Sequence, residues 1–180
     1  QQQSTRSSSE ADVFLRAEVS NATPFLGEQI ILSYKLYFDA NSDIVDHDHF
    51  EKIISFPGFW SENLLTNRRE IPVSRTEING KIYNVAEVRR FALFPQRTGE
   101  ITIEPGETEV VVRVKDASRR RSSDPFFDSF FNDPFFNRGY RDVNKLLASN
   151  SLKINVKPLP TKNKPADFSG AVGDFSISSN

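Results

Sequence analysis

The residues best suited to chemistry are Asp46-His47-Asp48-His49 with Glu51, a run that contains both histidines of the chain. On an extended segment His47 and His49 share one face while Asp46 and Asp48 share the other, so two imidazoles would be offered together to zinc or copper. A stable site needs further ligands from elsewhere in the fold, and an acidic polar loop between strands is the commoner origin of such a run. The expectation is no metal and no cofactor. Hydrolysis needs a nucleophile, a base and an orienting group, yet the histidines sit together in one segment and no Gly-x-Ser-x-Gly turn exists. Cysteine is absent, which removes thiol nucleophiles, disulfides and Cys-based metal sites together. The reading is non-enzymatic.

Binding is the alternative to catalysis, and the strongest signal for it is Asp124 to Phe136, DPFFDSFFNDPFF, with phenylalanines at 126, 127, 130, 131, 135 and 136. Asp124-Pro125 and Asp133-Pro134 each resemble a helix start, Asp as N-cap and Pro in the first helical position, so short helices are expected there. Burying six such rings would contribute on the order of ten kcal/mol at about 1.5–3 per side chain, enough to favour packing some of them. Left exposed together they mark an interaction surface. The expectation divides them: Phe126 and Phe127 anchor the segment, while Phe130, Phe131, Phe135 and Phe136 bind a partner. Arg119-Arg120-Arg121 beside it reads as a solvated loop face. With 23 basic and 24 acidic residues and a formal charge of -1, the chain has no global field to draw nucleic acid, so no nucleic-acid partner is expected.

The elements that must position these residues are strands. Val13, Leu15, Ala17 and Val19 alternate with Phe14, Arg16 and Glu18, and Ile30 to Phe38 is apolar on both faces, which predicts a central strand. Asn79-Gly80 supplies the positive φ angles of a type I′ turn and so joins two arms of a hairpin, the second running from Ile82 to Phe94 and stopping at Pro95. Ile101 and Ile103, then Val110, Val112 and Val114, then Leu152, Ile154 and Val156 give further alternating segments. Pro57-Gly58 marks a turn, and Trp60, the only tryptophan, reads as a core plug. Seven or eight short strands with turns between them predict an all-β fold, an immunoglobulin-like antiparallel β-sandwich over 12–160 with a Phe-rich insertion at 116–150. Residues 1–11 read as a linker. Residues 161–180 read as a linker and, from Phe168 to Phe175, the first strand of a following domain. The start without Met, in QQQSTRSSSE, reads as a piece cut from a longer polypeptide, and no apolar run reaches the roughly 20 residues that a membrane helix needs.

The order of these motifs resembles a known family. Asp12-Val13-Phe14-Leu15-Arg16-Ala17-Glu18-Val19, Gly27-Glu28-Gln29 with Tyr34-Lys35-Leu36-Tyr37, Pro57-Gly58-Phe59-Trp60 and Asn79-Gly80-Lys81-Ile82-Tyr83 come in turn. Arg89 to Gln96, Thr98 to Pro105, the Asp-Pro-Phe-Phe pair and Asp167 to Gly173 complete the series. Together they look like one internal domain of the BatD proteins, the oxygen-tolerance family named for Bacteroides aerotolerance operons. The resemblance implies a periplasmic module of a protein anchored to the inner membrane elsewhere in its chain, with tandem immunoglobulin-like domains. It also implies partners among envelope proteins, including von Willebrand factor A-type Bat proteins, and an assembly role; it carries no catalytic residues. Beside scaffolding, an extracytoplasmic carbohydrate-binding sandwich and a passive spacer stay open. A glycan-binding sandwich presents Trp and Tyr on an open face, so Trp60 in the core ranks carbohydrate below protein.

Overall fold

The computed structural model describes residues 12–40, 42–49, 55–65, 71–115, 140–162, 164, 166–168, 170 and 172–173. Among them lie ten strands and no helix: β1 (Val13–Val19), β2 (Ile30–Asp39), β3 (Asp43–His49), β4 (Phe59–Asn63), β5 (Val73–Ile78), β6 (Lys81–Pro95), β7 (Gly99–Ile103), β8 (Glu107–Lys115), β9 (Tyr140–Ala148) and β10 (Leu152–Val156). Every strand pairing is antiparallel.

The first sheet has the order β1-β2-β6, with β4 and β5 both on the far side of β6, β5 on its first half and β4 on its last. As its two-sided apolar pattern predicts, β2 is central. Asn79 and Gly80 have φ of 52° and 78°, the mirror-image turn geometry expected between β5 and β6. Opposite Tyr34 and Lys35 the ladder slips, leaving Val88 between the paired residues Glu87 and Arg89 as a bulge.

The remaining strands form a single broken ribbon with β3 on its side. Glu107 faces Ala148 and Ile103 faces Leu152, so β7–β8 and β9–β10 keep one register across the break at Glu104–Gly106 and Ser149–Ser151. Ser149 closes that break from both directions: its amide donates to the Gly106 carbonyl at 2.9 Å, and its hydroxyl accepts from the Gly106 amide at 3.0 Å. With β7–β8 and β9–β10 each counted as one strand, and β4 and β5 as one edge, ten segments reduce to seven. Their arrangement is β1-β2-β6-β4/β5 in one sheet and β3-β8-β9 in the other. After β1 the chain crosses sheets: Lys157 and Asn155 donate to the carbonyls of Pro24 and Ala22, and Phe25 bridges Lys157 in parallel.

The core lies between the sheets. Leu15 and Ala17 of β1, Ile30 to Phe38 at every second residue of β2, and Val88 and Leu93 of β6 meet Ile101, Ile103, Val110, Val112, Ile154 and Val156 of the ribbon. Antibody domains tie their sheets with a disulfide at this depth; here the fully buried ring of Tyr34 reaches across to the backbone at Gly106 instead.

The free edge of β1 is closed by a side chain. The Asn150 amide accepts from Ala17 N at 3.0 Å and donates to Ala17 O at 3.1 Å, as a neighbouring strand would. Replacing Asn150 with Ala strips two bonds from a half-buried backbone, and the expected loss is about 1–3 kcal/mol in a urea melt. Amide exchange at Ala17 should quicken in the same variant; unchanged exchange would mean that the edge is closed by other means.

Three expectations are corrected. Residues 140–148, placed inside the insertion 116–150, are strand β9, because Val143 and Leu147 have β8 to pair with and the core to pack on. The Phe-rich segment is therefore the connection 116–139 of a β8–β9 hairpin. The acidic run beginning at Asp46 is strand rather than loop as far as His49, paired with β8 through two register shifts. Phe168, Gly170, Val172 and Gly173, within the strand expected at 168–175, lie in coil and bends.

Candidate functional site

At one end of the sandwich the hairpin of β8 and β9 finishes with Lys115 opposite Tyr140. The β2–β3 connection after Asp39 and the Asn79-Gly80 turn lie at that same end, since Asp39 pairs with Tyr83 and Asp43 with Arg113. The Phe-rich segment is the chain between Lys115 and Tyr140, so both of its attachment points lie at the end that carries the β2–β3 connection and the Asn79-Gly80 turn. Phe126, Phe127, Phe130, Phe131, Phe135 and Phe136, and the two Asp-Pro helix starts, lie outside the described residues.

The same end carries an ionic cluster. Lys81 Nζ lies 3.0 Å from Asp12 Oδ2 and 2.9 Å from Asp39 Oδ2, and the Tyr83 hydroxyl donates to Asp12. The Tyr83 hydroxyl and the Lys81 ammonium hold the Asp12 carboxyl below its ordinary value, and the two carboxylates raise Lys81. The cluster ties the start of β1 to the end of β2 and to the turn; it is structural.

The histidines fall on β3, where residue His49 pairs with Glu109 and Asp46 with Val111. The strand has β8 on one side and no partner on the other among the described residues. Among the described residues no three His, Asp or Glu side chains group as a metal site would require.

Trp60 is the clearest departure from the expectation. It is 56% exposed, not buried. The reason is the strand period: Phe59 on β4 turns inward and packs on the core, so its neighbour must face out. Trp60 pairs with Phe94 across the outer face of the first sheet, ring centroids 5.0 Å apart. It is the one exposed aromatic side chain among the described residues. The ground for ranking carbohydrate below protein therefore falls away.

No protein-family model, curated protein or solved structure matches this chain.

Proposed function

We propose that this chain is a non-enzymatic protein-interaction or scaffolding module of a periplasmic, BatD-like envelope protein anchored to the inner membrane by another part of its chain. The observation that supports the reading is the pair of points between which the Phe-rich segment is strung. It leaves from Lys115 and returns at Tyr140, the tip of a ribbon whose own residues Ile101, Ile103, Val110, Val112, Ile154 and Val156 already supply one wall of the core. A paired hairpin is a suitable mount for aromatic anchors, which dominate binding energy at protein interfaces. The partner expected is another envelope protein, of the von Willebrand factor A-type that the family resemblance brings with it.

Simultaneous replacement of Phe130, Phe131, Phe135 and Phe136 by Ala should weaken capture of the purified von Willebrand factor A-type partner by at least about tenfold, given about 1.4 kcal/mol per decade of affinity. The melting temperature should stay within a few degrees of the parent. A large fall in melting temperature with capture unchanged would assign the rings to the domain's own core and sink the proposal.

A further inference from the structure

We propose that the outer face of the first sheet is a binding strip for a neutral, extended oligosaccharide, with Trp60 as its principal stacking platform. The face is read directly from the ladder. Because Leu93 and Ile30 are core residues, their neighbours Phe94, Ala92 and Ile31 point outward with Trp60 and Glu62. At the opposite end of the same face Phe14 stacks on Tyr37, centroids 4.8 Å apart and 5° from parallel, with the Arg16 guanidinium over both rings; Tyr37 is buried there among Phe14, Tyr83 and Val85, so this end closes the strip and Trp60 is its exposed platform. Phe94 lies nine positions along β6 from Val85, which pairs with Tyr37; at about 3.3 Å per step the strip is roughly 30 Å long.

Between its aromatic ends the strip is polar and of mixed sign. Ser33 donates to Glu87, Arg90 lies 3.8 Å from the same carboxylate, and Lys35 pairs with Glu18 at 2.7 Å. These charges offset one another, so the strip offers no field to a polyanion or a polycation, while leaving many donors and acceptors at a flat surface. Pyranose rings suit that pattern: their C–H faces carry slight positive charge and meet the negative face of an indole, and their hydroxyls bond to the charged side chains alongside. A protein partner fits less well, since a stable interface has an apolar centre within roughly 800 Å² per side, and here, among the described residues, Trp60 is the one exposed aromatic ring on a face that is otherwise largely polar. Phe94 braces the indole, so little conformational freedom is lost when a sugar stacks on it.

Trp60 being the only tryptophan, its emission reports on this site alone. The 180-residue chain is titrated with cellohexaose, xylohexaose, chitohexaose and maltohexaose. The expected result is that at least one sugar shifts the emission and shields Trp60 from acrylamide, and that Trp60→Ala, with an unchanged circular dichroism spectrum, binds that sugar about tenfold or more weakly by calorimetry. No shift and no shielding with any of the four at millimolar concentration would overturn the proposal. So would a Trp60→Ala variant that binds like the parent. The strip shares no residue with the segment 116–139, and the quadruple Phe variant tests that segment by itself, so either outcome leaves the protein-interaction reading standing.

Discussion

Replacing Tyr34 with Ala should cost about 3–5 kcal/mol, the range for deleting a large buried ring. Tyr34 is fully buried on β2, and the end of its ring lies against Gly106 at the break in the ribbon. A Cβ at position 106 would stand 2.7 Å from Tyr34 Cε1 and 3.1 Å from Cζ, closer than carbon atoms approach without displacement. The Gly106 φ lies outside the left-handed region, so the demand for glycine here is one of space. Gly106→Ala should therefore destabilise by about 1–3 kcal/mol, the cost of overpacking a filled site. The two effects share one volume, and a double-mutant cycle in urea shows it: with Tyr34 already replaced by Ala, the new methyl enters the vacated space and its cost should largely vanish, a coupling of about 0.5–3 kcal/mol. Simple addition of the two losses would show that the ring and the glycine are not packed on each other. The chain has no cysteine with which to tie its sheets, and this contact takes that place in the core.

What the chain discloses before it folds depends on whether a signal is local. Alternation at Val13 to Val19 and Ile30 to Phe38 states both strand and buried face, and Asn79-Gly80 states its turn, because each is decided within a few residues. The all-β class follows from these segments alone. Strand β9 is harder to read: YRDVNKLLA alternates weakly, and only the partner strand β8 and the core beneath give Val143 and Leu147 a reason to be extended. Trp60 carried a legible signal that its bulk obscured. Adjacent Phe59 and Trp60 on one strand cannot both face the core, and the choice of Phe59 is made by the pairing with Pro95 and Phe94, which the local sequence does not contain. The contact of Tyr34 with Gly106 joins residues far apart in the chain, so nothing near either position announces it. The outer strip is illegible for the same reason: Trp60, Ser33 and Arg16 come to lie on one face only through the register of four strands.

Above pH 10 the fold should lose stability through Tyr34. Burial raises the hydroxyl of Tyr34 from the ordinary value of 10 to about 12, because the phenolate would have to give up water between the sheets. Below pH 10 the tyrosine keeps its proton in folded and unfolded chains alike, and its contribution is fully present. Between pH 10 and about 12 the unfolded chain releases the proton while the folded chain retains it; the unfolded state then binds fewer protons, and stability falls as pH rises. Each unit of separation is worth about 1.4 kcal/mol, so the loss should total about 2–3 kcal/mol by the upper end of that window. Tyr37 and Tyr83 are also raised, Tyr37 first by burial and Tyr83 first by its bond to Asp12, and add to the slope. Comparison with Tyr34→Phe isolates the buried ring: the variant keeps the packing, lacks the titrating group, and should show a visibly shallower decline in urea midpoint across the window. In the parent, ultraviolet titration should find one tyrosine ionising well after an exposed one would. A Tyr34→Phe variant that declines as steeply as the parent would place the alkaline lability elsewhere, in the Lys35–Glu18 and Lys81–Asp12 pairs of the outer face, whose lysines are raised by their carboxylates and whose support is likewise lost as pH rises.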